Sequence, residues 1–440
     1  MNAVLALLML SAPIADVVAK VASDALERGP IAGLSVAVAR DGHLEFEAGY
    51  GLAELENEVP ASAATVYRIN SITKAFTAAA ILQLAEAGKL RLQDPLSKYF
   101  PSWTRPGFDP TLLQLLGHSA GLADYGGPPF HRNIRLDLSA REWIESVDPE
   151  HLYLAAPGST WSYSNVGYDV LGLLIEKLSG ERYDRYILDR LAARSGLTSI
   201  RVCNTNDVQP HRASSYDNGR QGFRPAESWG TYGNASGRLC TTAADLARFA
   251  AALLDGSVVS PRSFDAMRTP GKLSNGVTFD YGLGTRLGSA AEGHPLVAWT
   301  GSGEGWTSAM ESVGGVTVVV LTNTESERYA ASALAGAIAR GILELPTSPD
   351  DDGPVPPSLA NAIAGRWRAG TGPALEIFAK GDRLRVRFGP MEVPLAYFGG
   401  TAFRPPDQPA GRILFRVEGD PKWASFYNDG VFAGLLQKVP

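Results

Sequence analysis

The sequence predicts an α+β protein in which an antiparallel sheet covered by helices is followed by a small all-β unit. Alternating apolar residues predict strands within residues 34–48 and 296–321, and helical periodicity dominates residues 71–200 of the 440-residue chain. Because early and late strands flank a helical middle, we expect one sheet to join both ends of the first domain. The helical region is then an insertion into that domain.

Turn and capping residues bound the individual elements. Asp41-Gly42 and Gly314-Gly315 are two-residue hairpin turns, and Asn70 is placed to cap a helix that Gly88 ends. The predicted strands are 34–39, 44–48, 66–69, 296–300, 307–313 and 316–321, and the predicted helices are 71–87, 166–179, 242–254 and 327–343.

Composition divides the chain into four segments. Residues 1–15 contain an apolar run, AVLALLML, of export-signal length, although no Lys or Arg precedes it. Residues 16–345 form the α+β domain, and residues 346–358 (PTSPDDDGPVPPS) form a linker. Residues 359–440 carry short alternating runs between turns, which predict a small barrel or sandwich. We expect a periplasmic or secreted protein, with a cytoplasmic protein whose first helix is buried as the alternative.

Charge and cysteine content exclude several classes of partner. A net charge of −6 without a dense Lys/Arg run argues against nucleic acid, and no apolar stretch reaches the roughly 18 residues that span a bilayer. The two cysteines, Cys203 and Cys240, lack the spacing of metal ligands, so we expect no metal and no cofactor. They form either one disulfide of an exported protein or two buried thiols.

Two serines are candidate nucleophiles, and the first lies in the G-x-S-x-G pattern GHSAG at residues 117–121. A nucleophile elbow needs a strand before its serine and a helix after it. Here Thr111 caps a helix-forming run before Ser119, and the following LADYGGPP cannot form a helix. We therefore interpret GHSAG as a tight turn after a helix.

The second candidate is Ser71 of the sequence SITK. With Asn70 as the cap, Ser71 lies in the first helical turn, near unpaired N–H groups and the positive end of the helix dipole. Lys74 follows three residues later on the same face, where its amine can stabilise the alkoxide or accept the hydroxyl proton. The apolar residues around them predict a central, buried helix.

Two further stretches place polar groups beside turns. Tyr163 and Asn165 precede the helix at 166–179, and Asn165 can also serve simply as its cap. Downstream, the strand containing Trp299 runs into the glycine-rich sequence TGSGEG. Glycines there let a substrate approach a backbone N–H that can bind an oxyanion.

Residues 20–340 resemble the serine hydrolases built like class C β-lactamases and penicillin-binding proteins. The resemblance rests on three motifs in order, S-x-x-K at 71–74, Y-x-N at 163–165 and W-x-G at 299–301, and on segments such as GKLRLQDPLSKYFP and TTAADLARF. It implies an α/β sandwich with a helical insertion, and it places a structural turn of that family at GHSAG.

The resemblance also implies a role for each motif residue. Lys74 and Tyr163 would share the general-base role, and Tyr163 would pass the proton to the leaving group. The N–H groups of Ser71 and Ser302 would form the oxyanion hole, and Asn165 would orient the acyl half of the substrate. An acyl-enzyme on Ser71 would then be transferred to water or another acceptor.

The substrate-binding pair Trp299 and Gly301 carries the one departure from the family pattern. β-Lactamases and peptidases have Lys or His where this chain has Trp299, which supplies only an indole N–H. A lost charge-assisted hydrogen bond to a carboxylate is worth about 1.5–3 kcal/mol. We therefore expect a carboxylesterase of short-chain esters with little β-lactamase activity, similar to family VIII carboxylesterases. His294 is the residue considered as another source of a cation.

Other functions remain alternatives at this point. The C-terminal unit resembles the lipocalin-like domain of D-aminopeptidases, which favours a D-amino-acid peptidase or amidase. A β-lactamase or DD-peptidase of the same fold is a further alternative, and a non-catalytic binding protein is disfavoured by the complete motif set. The expected partner is a small-molecule ester or amide, and the appended domain would either cover the active site or build a homo-oligomer.

Overall fold

Most of the chain is described by the computed structural model, including every motif named above. The described residues are 13–29, 31–124, 140–203, 207–219, 222–226, 234–291, 293–326, 330–345, 353–370, 373–397, 402–404, 412–416, 423–428 and 431–439. The apolar run at the N-terminus and residues 346–352 of the expected linker lie outside the described residues.

Helices and strands lie close to where periodicity and turn residues predict them. The helices are α1 (Ile14–Arg28), α2 (Thr73–Glu86), α3 (Leu112–Leu116), α4 (Ala140–Glu145), α5 (Pro149–Leu152), α6 (Asn165–Ser179), α7 (Tyr183–Tyr186), α8 (Asn234–Gly237), α9 (Ala243–Leu254), α10 (Pro261–Met267), α11 (Ala331–Leu343) and α12 (Pro357–Ile363). The strands are β1 (Gly33–Arg40), β2 (His43–Glu54), β3 (Val59–Pro60), β4 (Tyr67–Arg68), β5 (Arg201–Val202), β6 (Tyr216–Gly219), β7 (Gly222–Pro225), β8 (Leu239–Thr241), β9 (Gly271–Lys272), β10 (Thr278–Phe279), β11 (Arg286–Ala291), β12 (His294–Gly303), β13 (Trp306–Val313), β14 (Val316–Thr322), β15 (Thr324–Glu325), β16 (Gly365–Ala369), β17 (Ala374–Lys380), β18 (Arg383–Phe388), β19 (Met391–Tyr397), β20 (Ala402–Arg404), β21 (Arg412–Arg416), β22 (Trp423–Asn428) and β23 (Val431–Val439).

The central sheet is antiparallel and joins both ends of the first domain. Its strand order is β11-β12-β13-β14-β1-β2-β3, and Val36 of β1 lies opposite Val320 of β14. Helices α1 and α11 pack on one face of this sheet, while α2, α6 and α9 form the larger core on the other face. The predicted α+β architecture is therefore confirmed.

Helix α2 lies inside the larger core. Residues 73–82 are all buried, and the small side chains of its AAA run allow close packing against α6 and α8. Phe76 of α2 stacks on Phe249 of α9 with ring centroids 3.8 Å apart. The helix therefore has a fixed position in the fold, and so do the polar groups at its N-terminal end.

The C-terminal unit is an eight-stranded antiparallel barrel, β16 to β23, which closes where β16 pairs with β23. Trp367 is fully buried in its core, and its indole donates to the Ile363 carbonyl 2.8 Å away. Val355 is also buried there, so packing of the barrel unit begins within the segment predicted to be a linker. The barrel meets the central sheet where Val431 of β23 pairs with Gly288 of β11. The predicted small all-β domain is confirmed.

Two features bear on the chain's environment. The structure pairs Cys203 with Cys240 as a disulfide, with Cα atoms 5.4 Å apart, which is an ordinary separation for such a bond. Cys240 lies on β8, the middle strand of a small sheet with β4 and β5. Of the helices in the described part of the chain, none has both the length and the apolar character needed to cross a bilayer.

Candidate active site

Ser71 lies in a short 3-10 turn, Asn70–Ile72, which leads directly into α2. Asn70 does not cap the helix as predicted. It adopts a left-handed conformation with φ of 45°, and its side-chain amide donates to the Gly303 carbonyl at 3.0 Å. Asparagine tolerates this conformation better than most residues. The amide thus ties the turn that carries Ser71 to the last residue of β12.

Gly301 allows β12 to pass very close to the Ser71 turn. A Cβ atom at this position would lie 2.8 Å from the Ser71 nitrogen and 2.4 Å from the Ile69 carbonyl oxygen, so any side chain would displace the turn. Strand β11 pairs with β12 only as far as Ala298. Among the described strands, residues 299–303 therefore have a neighbour only on the β13 side.

Lys74 Nζ contacts three oxygen atoms. It lies 3.0 Å from Ser71 Oγ, 2.7 Å from Asn165 Oδ1 and 2.7 Å from the Ser236 carbonyl. Three donors of an ammonium group match three acceptors. A neutral amine fits equally well, because it can donate to the two carbonyl-type oxygens and accept from the Ser71 hydroxyl. The same geometry therefore accommodates both protonation states that a general base must adopt.

Asn165 is oriented by Asp124. The Asp124 carboxylate accepts from the Asn165 backbone N–H at 2.8 Å and from its side-chain amide at 3.1 Å, which turns Oδ1 towards Lys74. The cap of α6 is Ser164, whose hydroxyl accepts from the Gly167 N–H, and not Asn165. The side chain of Asn165 is therefore free to bind Lys74.

A buried carboxylate holds the third acceptor. Asp169 of α6 accepts from the backbone N–H groups of Ala235 and Ser236 at 3.2 and 3.1 Å, and from the Ser236 hydroxyl at 3.2 Å. These bonds fix α8 so that the Ser236 carbonyl reaches Lys74.

The Tyr163 ring lies between two cations. Lys74 Nζ is 4.8 Å from the ring centroid, and the Arg286 guanidinium carbon is 5.5 Å from it, both within the range of cation–π contacts. His118 packs against the same ring, with centroids 4.2 Å apart. Arg286 also donates to the carbonyl of Phe432 in the barrel at 2.7 Å. Two positive charges therefore lie beside the Tyr163 ring.

His118 of GHSAG has a structural position in the core. Its Nδ1 accepts from the Ser164 N–H at 3.1 Å, so its Nε2–H is left to donate to the Tyr281 hydroxyl at 3.1 Å. Burial, with Lys74 and Arg286 nearby, holds the pKa of His118 well below its usual value. The imidazole is therefore neutral.

GHSAG is a turn, as its neighbours predict. It follows α3, whose capping box joins Thr111 and Gln114, and the described residues directly after it, 122–124, are not helical. Gly121 has φ of 73°, and a Cβ there would lie 2.0 Å from the Ala155 carbonyl oxygen. Ser119 itself is 4% exposed. The strand–serine–helix context of a nucleophile elbow is absent from these described residues.

Trp299 and Ser302 are less closely joined to the cluster formed by Ser71, Lys74, Tyr163 and Asn165. Trp299 is 3% exposed and lines a cavity of about 770 Å³ whose lining does not include Ser71, Lys74 or Tyr163. Its indole nitrogen has no hydrogen-bond partner among the described residues. Ser302 is exposed, and its hydroxyl donates to Glu325 at 2.8 Å. The substrate-binding role of Trp299 and the oxyanion role of the Ser302 N–H stay predictions.

Three residues of the cluster, Asp124, Asp169 and Arg286, were not singled out from the sequence. Asp169 carries a usable signal, because it is the one acid among the first ten residues of the otherwise apolar helix VGYDVLGLLI. Arg286 carries none. His294, considered as a cation source, lies at the other end of β12, five residues or roughly 16 Å of strand from Trp299.

The order of the sheet, with an S-x-x-K helix packed against its W-x-G strand, defines a β-lactamase-like fold. Residues 18–340 match the family model described as Beta-lactamase. The chain is 26% identical over 377 residues to penicillin-binding protein 4* of Bacillus subtilis (strain 168), covering 80% of this chain and 82% of that protein. The chain therefore belongs to the beta-lactamase family of serine hydrolases.

Solved structures agree at the level of fold. The octameric penicillin-binding protein homologue from Pyrococcus abyssi has a TM-score of 0.67 at 23% identity and covers 97% of this chain and 100% of its own. The D-amino acid amidase from Ochrobactrum anthropi SV3, complexed with L-phenylalanine amide, has a TM-score of 0.65 at 23% identity and covers 75% and 97%. The first likeness extends beyond the hydrolase domain into the barrel.

Proposed function

We propose that the protein is a carboxylesterase that acts through an acyl-enzyme on Ser71. The observation that carries this proposal is the position of Lys74 Nζ, which lies 3.0 Å from Ser71 Oγ while two carbonyl-type oxygens hold it from the other side. An amine so placed can take the hydroxyl proton without moving.

Acylation begins when the Ser71 oxygen attacks the ester carbonyl and its proton passes to the Lys74–Tyr163 pair. The negative charge on the carbonyl oxygen is bound by the N–H groups of Ser71 and Ser302, on the open edge of β12. The tetrahedral intermediate then collapses. The bond to the alcohol oxygen breaks, Tyr163 returns the proton to that oxygen, and the acyl group stays on Ser71.

In deacylation, water becomes the attacking group and the Ser71 oxygen becomes the leaving group. Water enters beside the acyl group, the Lys74–Tyr163 pair takes a proton from it, and its oxygen attacks the acyl carbonyl. The Ser71 oxygen leaves and recovers its proton. The cations of Lys74 and Arg286 lie beside the Tyr163 ring, next to the group that transfers the proton in both halves of the reaction.

The ester preference rests on position 299. A buried indole without a hydrogen-bond partner among the described residues offers no positive charge at the place where relatives that act on carboxylate-bearing substrates have Lys or His. Neutral esters do not need that charge. A β-lactam with its free carboxylate would lose about 10- to 100-fold in rate or affinity.

The test compares two chromogenic substrates with the purified full-length protein. We expect kcat/KM for p-nitrophenyl butyrate to exceed that for a chromogenic cephalosporin by about 100-fold or more. Cephalosporin hydrolysis of comparable efficiency would contradict the ester preference. An alkyl phosphonate should label the peptide that contains Ser71. The variant Ser71→Ala should lose both the label and ester hydrolysis, whereas the matched variant Ser119→Ala should keep both.

A D-amino-acid peptidase or amidase is the second candidate, and Arg286 is the observation that favours it. Its guanidinium brings a cation to Tyr163 from β11, which carries none of the three motifs, and a cation there can attract a substrate carboxylate. Release of amine from D-alanyl amides at a rate matching ester hydrolysis would favour this function over the esterase.

Localisation and assembly are further proposals. The Cys203–Cys240 disulfide supports an oxidising compartment such as the periplasm or the exterior. The octameric state of the Pyrococcus abyssi homologue supports a homo-oligomer, which light scattering of the purified chain would test.

A further inference from the structure

The interior of the C-terminal barrel contains a cavity that meets the candidate active site. Its volume is about 460 Å³, which lies within the range of small-molecule sites. Part of the barrel core is filled by Trp367, Phe403 and Phe415, whose rings contact one another. The remaining space borders the segment at residues 161–163, which contains Tyr163.

The lining of this cavity is apolar. The barrel strands contribute aliphatic side chains and one aromatic ring, and none of the described residues that line the space is charged. Trp161, which is 6% exposed, belongs to the lining, and its indole nitrogen has no hydrogen-bond partner among the described residues. Apolar lining residues on the barrel strands include Ile377, Val386, Val393, Leu395, Phe426 and Gly434.

We propose that this cavity holds the alkyl chain of the alcohol half of the ester, an inference that rests on the proposed esterase function. Tyr163 lines the cavity, and its ring centroid lies 4.8 Å from Lys74 Nζ. This residue therefore joins the apolar space to the reacting groups. In the proposed mechanism Tyr163 returns the proton to the alcohol oxygen. Asn165, assigned to the acyl half, does not line the cavity.

The chemistry of the lining selects the occupant. An unbranched alkyl chain buries apolar surface there without leaving a polar group of its own unpaired, whereas a charged group would be costly to bury in this mostly apolar lining. Among the described lining residues, the Trp161 indole N–H is buried without a hydrogen-bond partner and is available to the ester oxygen atoms that adjoin the chain.

Substitution of Gly434 by a larger residue is expected to fill the cavity. A Cβ atom there would meet only Trp161 Cζ3, at 3.8 Å, so a larger side chain can extend into the space without a backbone clash. Val393→Phe enlarges the lining from another strand and guards against a folding failure of Gly434→Leu. The matched control is Glu376→Leu, which adds the same side chain at an exposed position of β17.

Binding is measured first, independently of turnover. In the Ser71→Ala background, calorimetric titration with 1-octanol should show one site, retained with Glu376→Leu and weakened at least about tenfold with Gly434→Leu or Val393→Phe. No octanol binding, or binding that neither filling variant changes, would overturn the proposal. Unchanged near-ultraviolet circular dichroism checks that each variant is folded.

Turnover then assigns the half of the ester. For alkyl acetates of increasing alcohol length, KM should fall about two- to fourfold per methylene, and Gly434→Leu should flatten this series. Methyl esters of increasing acyl length should respond equally in both proteins; flattening of this second series instead would overturn the assignment to the alcohol. Octanol binding that follows the expected pattern in a protein that hydrolyses no ester would refute the esterase and still support an alkyl-chain site.

Discussion

Lys74 is buried without an opposite charge beside it. Its contacts are to the Ser71 hydroxyl, the Asn165 amide and the Ser236 carbonyl, and no salt bridge to a carboxylate forms among the described residues. The rings of Tyr163 and Tyr168 lie 4.8 and 5.6 Å from its nitrogen. Neutral dipoles and π faces, and not a carboxylate, therefore surround the amine among the described residues.

Removing either half of the base pair should stop turnover while the protein stays folded. Lys74→Ala and Tyr163→Phe should each lower kcat by about 10²- to 10⁴-fold, because proton transfer from Ser71 and to the leaving group is lost. Ester hydrolysis and thermal unfolding check both effects. The control is Lys89→Ala, an exposed lysine outside the cluster. A tenfold effect or less would remove the residue from the base role.

His118 should make stability depend on pH below neutrality. Its pKa is held well below the usual value of about 6.5 by burial first, and then by Lys74 and Arg286. Below pH 6.5 the unfolded chain therefore binds a proton that the folded chain excludes, so the free energy of unfolding falls as pH falls through this window. The slope contributed is on the order of 1 kcal/mol per pH unit.

His118→Asn should reduce this loss. Asparagine tolerates the φ of 58° at this position and offers an oxygen to the Ser164 N–H, but it does not titrate. Urea unfolding at pH 7.5 and pH 5 measures the difference for both proteins. Equal losses in both would show that His118 is not the group responsible.

At the scale of elements, the site depends on how closely β12 approaches the Ser71 turn. Gly301 permits that approach, because a Cβ there would meet the Ser71 nitrogen at 2.8 Å. The contact is between backbones, so it cannot be relieved by a side-chain rotation. The edge of β12 and the start of α2 therefore form one unit.

Gly301→Ala should impair catalysis by moving the Ser71 turn. We expect kcat to fall at least about tenfold, since a shift of a few tenths of an ångström disturbs the base contact and the oxyanion donors. Gly353→Ala is the matched control, because a Cβ there would meet no atom within 4 Å. Kinetics with p-nitrophenyl acetate compare the two, and equal activity in both would contradict the close approach.

The disulfide supports the small sheet that leads to the Lys74 site. Cys203 and Cys240 are 37 residues apart, and Ser236 lies just before β8. Replacing both cysteines by serine should lower the free energy of unfolding by about 2–4 kcal/mol, because the unfolded chain regains the freedom of an open loop. Urea unfolding under oxidising and reducing conditions tests this; no change on reduction of the wild type would contradict a structural bond.

For the whole molecule, Arg286 connects the barrel to the reacting groups. It donates to the barrel carbonyl of Phe432 at 2.7 Å, and its guanidinium lies 5.5 Å from the Tyr163 ring centroid. Arg416 also bridges the two domains, through the Thr278 carbonyl at 3.0 Å, but it is not among the cations that contact Tyr163. The barrel is thus fastened at a residue of the active site.

Arg286→Met should lower kcat about 5- to 30-fold, because one of the two positive charges beside the proton-transferring Tyr163 is lost. Arg286→Lys should recover part of the rate, and its pH–rate profile should move back towards that of the wild type. Arg416→Met is the matched control that breaks a domain contact without removing charge from Tyr163. A similar loss in both methionine variants would assign the effect to domain packing.

Much of the fold could be predicted because the signals are local. The hairpins at Asp41-Gly42 and Gly314-Gly315, the apolar α2 and the turn at GHSAG follow from residues within one or two turns of one another. The i, i+3 spacing of Ser71 and Lys74 is local too, and it places the two polar groups together. Capping was predicted less well, since Asn70 and Asn165 use their side chains for distant partners instead.

The sequence by itself determined the fold class, the appended small all-β unit and the Ser71–Lys74 pair, because periodicity, turn residues and helix spacing act over short stretches of chain. Only the tertiary structure decided what surrounds Lys74, whose acceptors Asn165 and Ser236 lie 91 and 162 residues away. It also brought Arg286 to Tyr163 and the barrel cavity to the same tyrosine. Charges and cavities of this kind depend on how remote segments pack, and no local pattern records that packing.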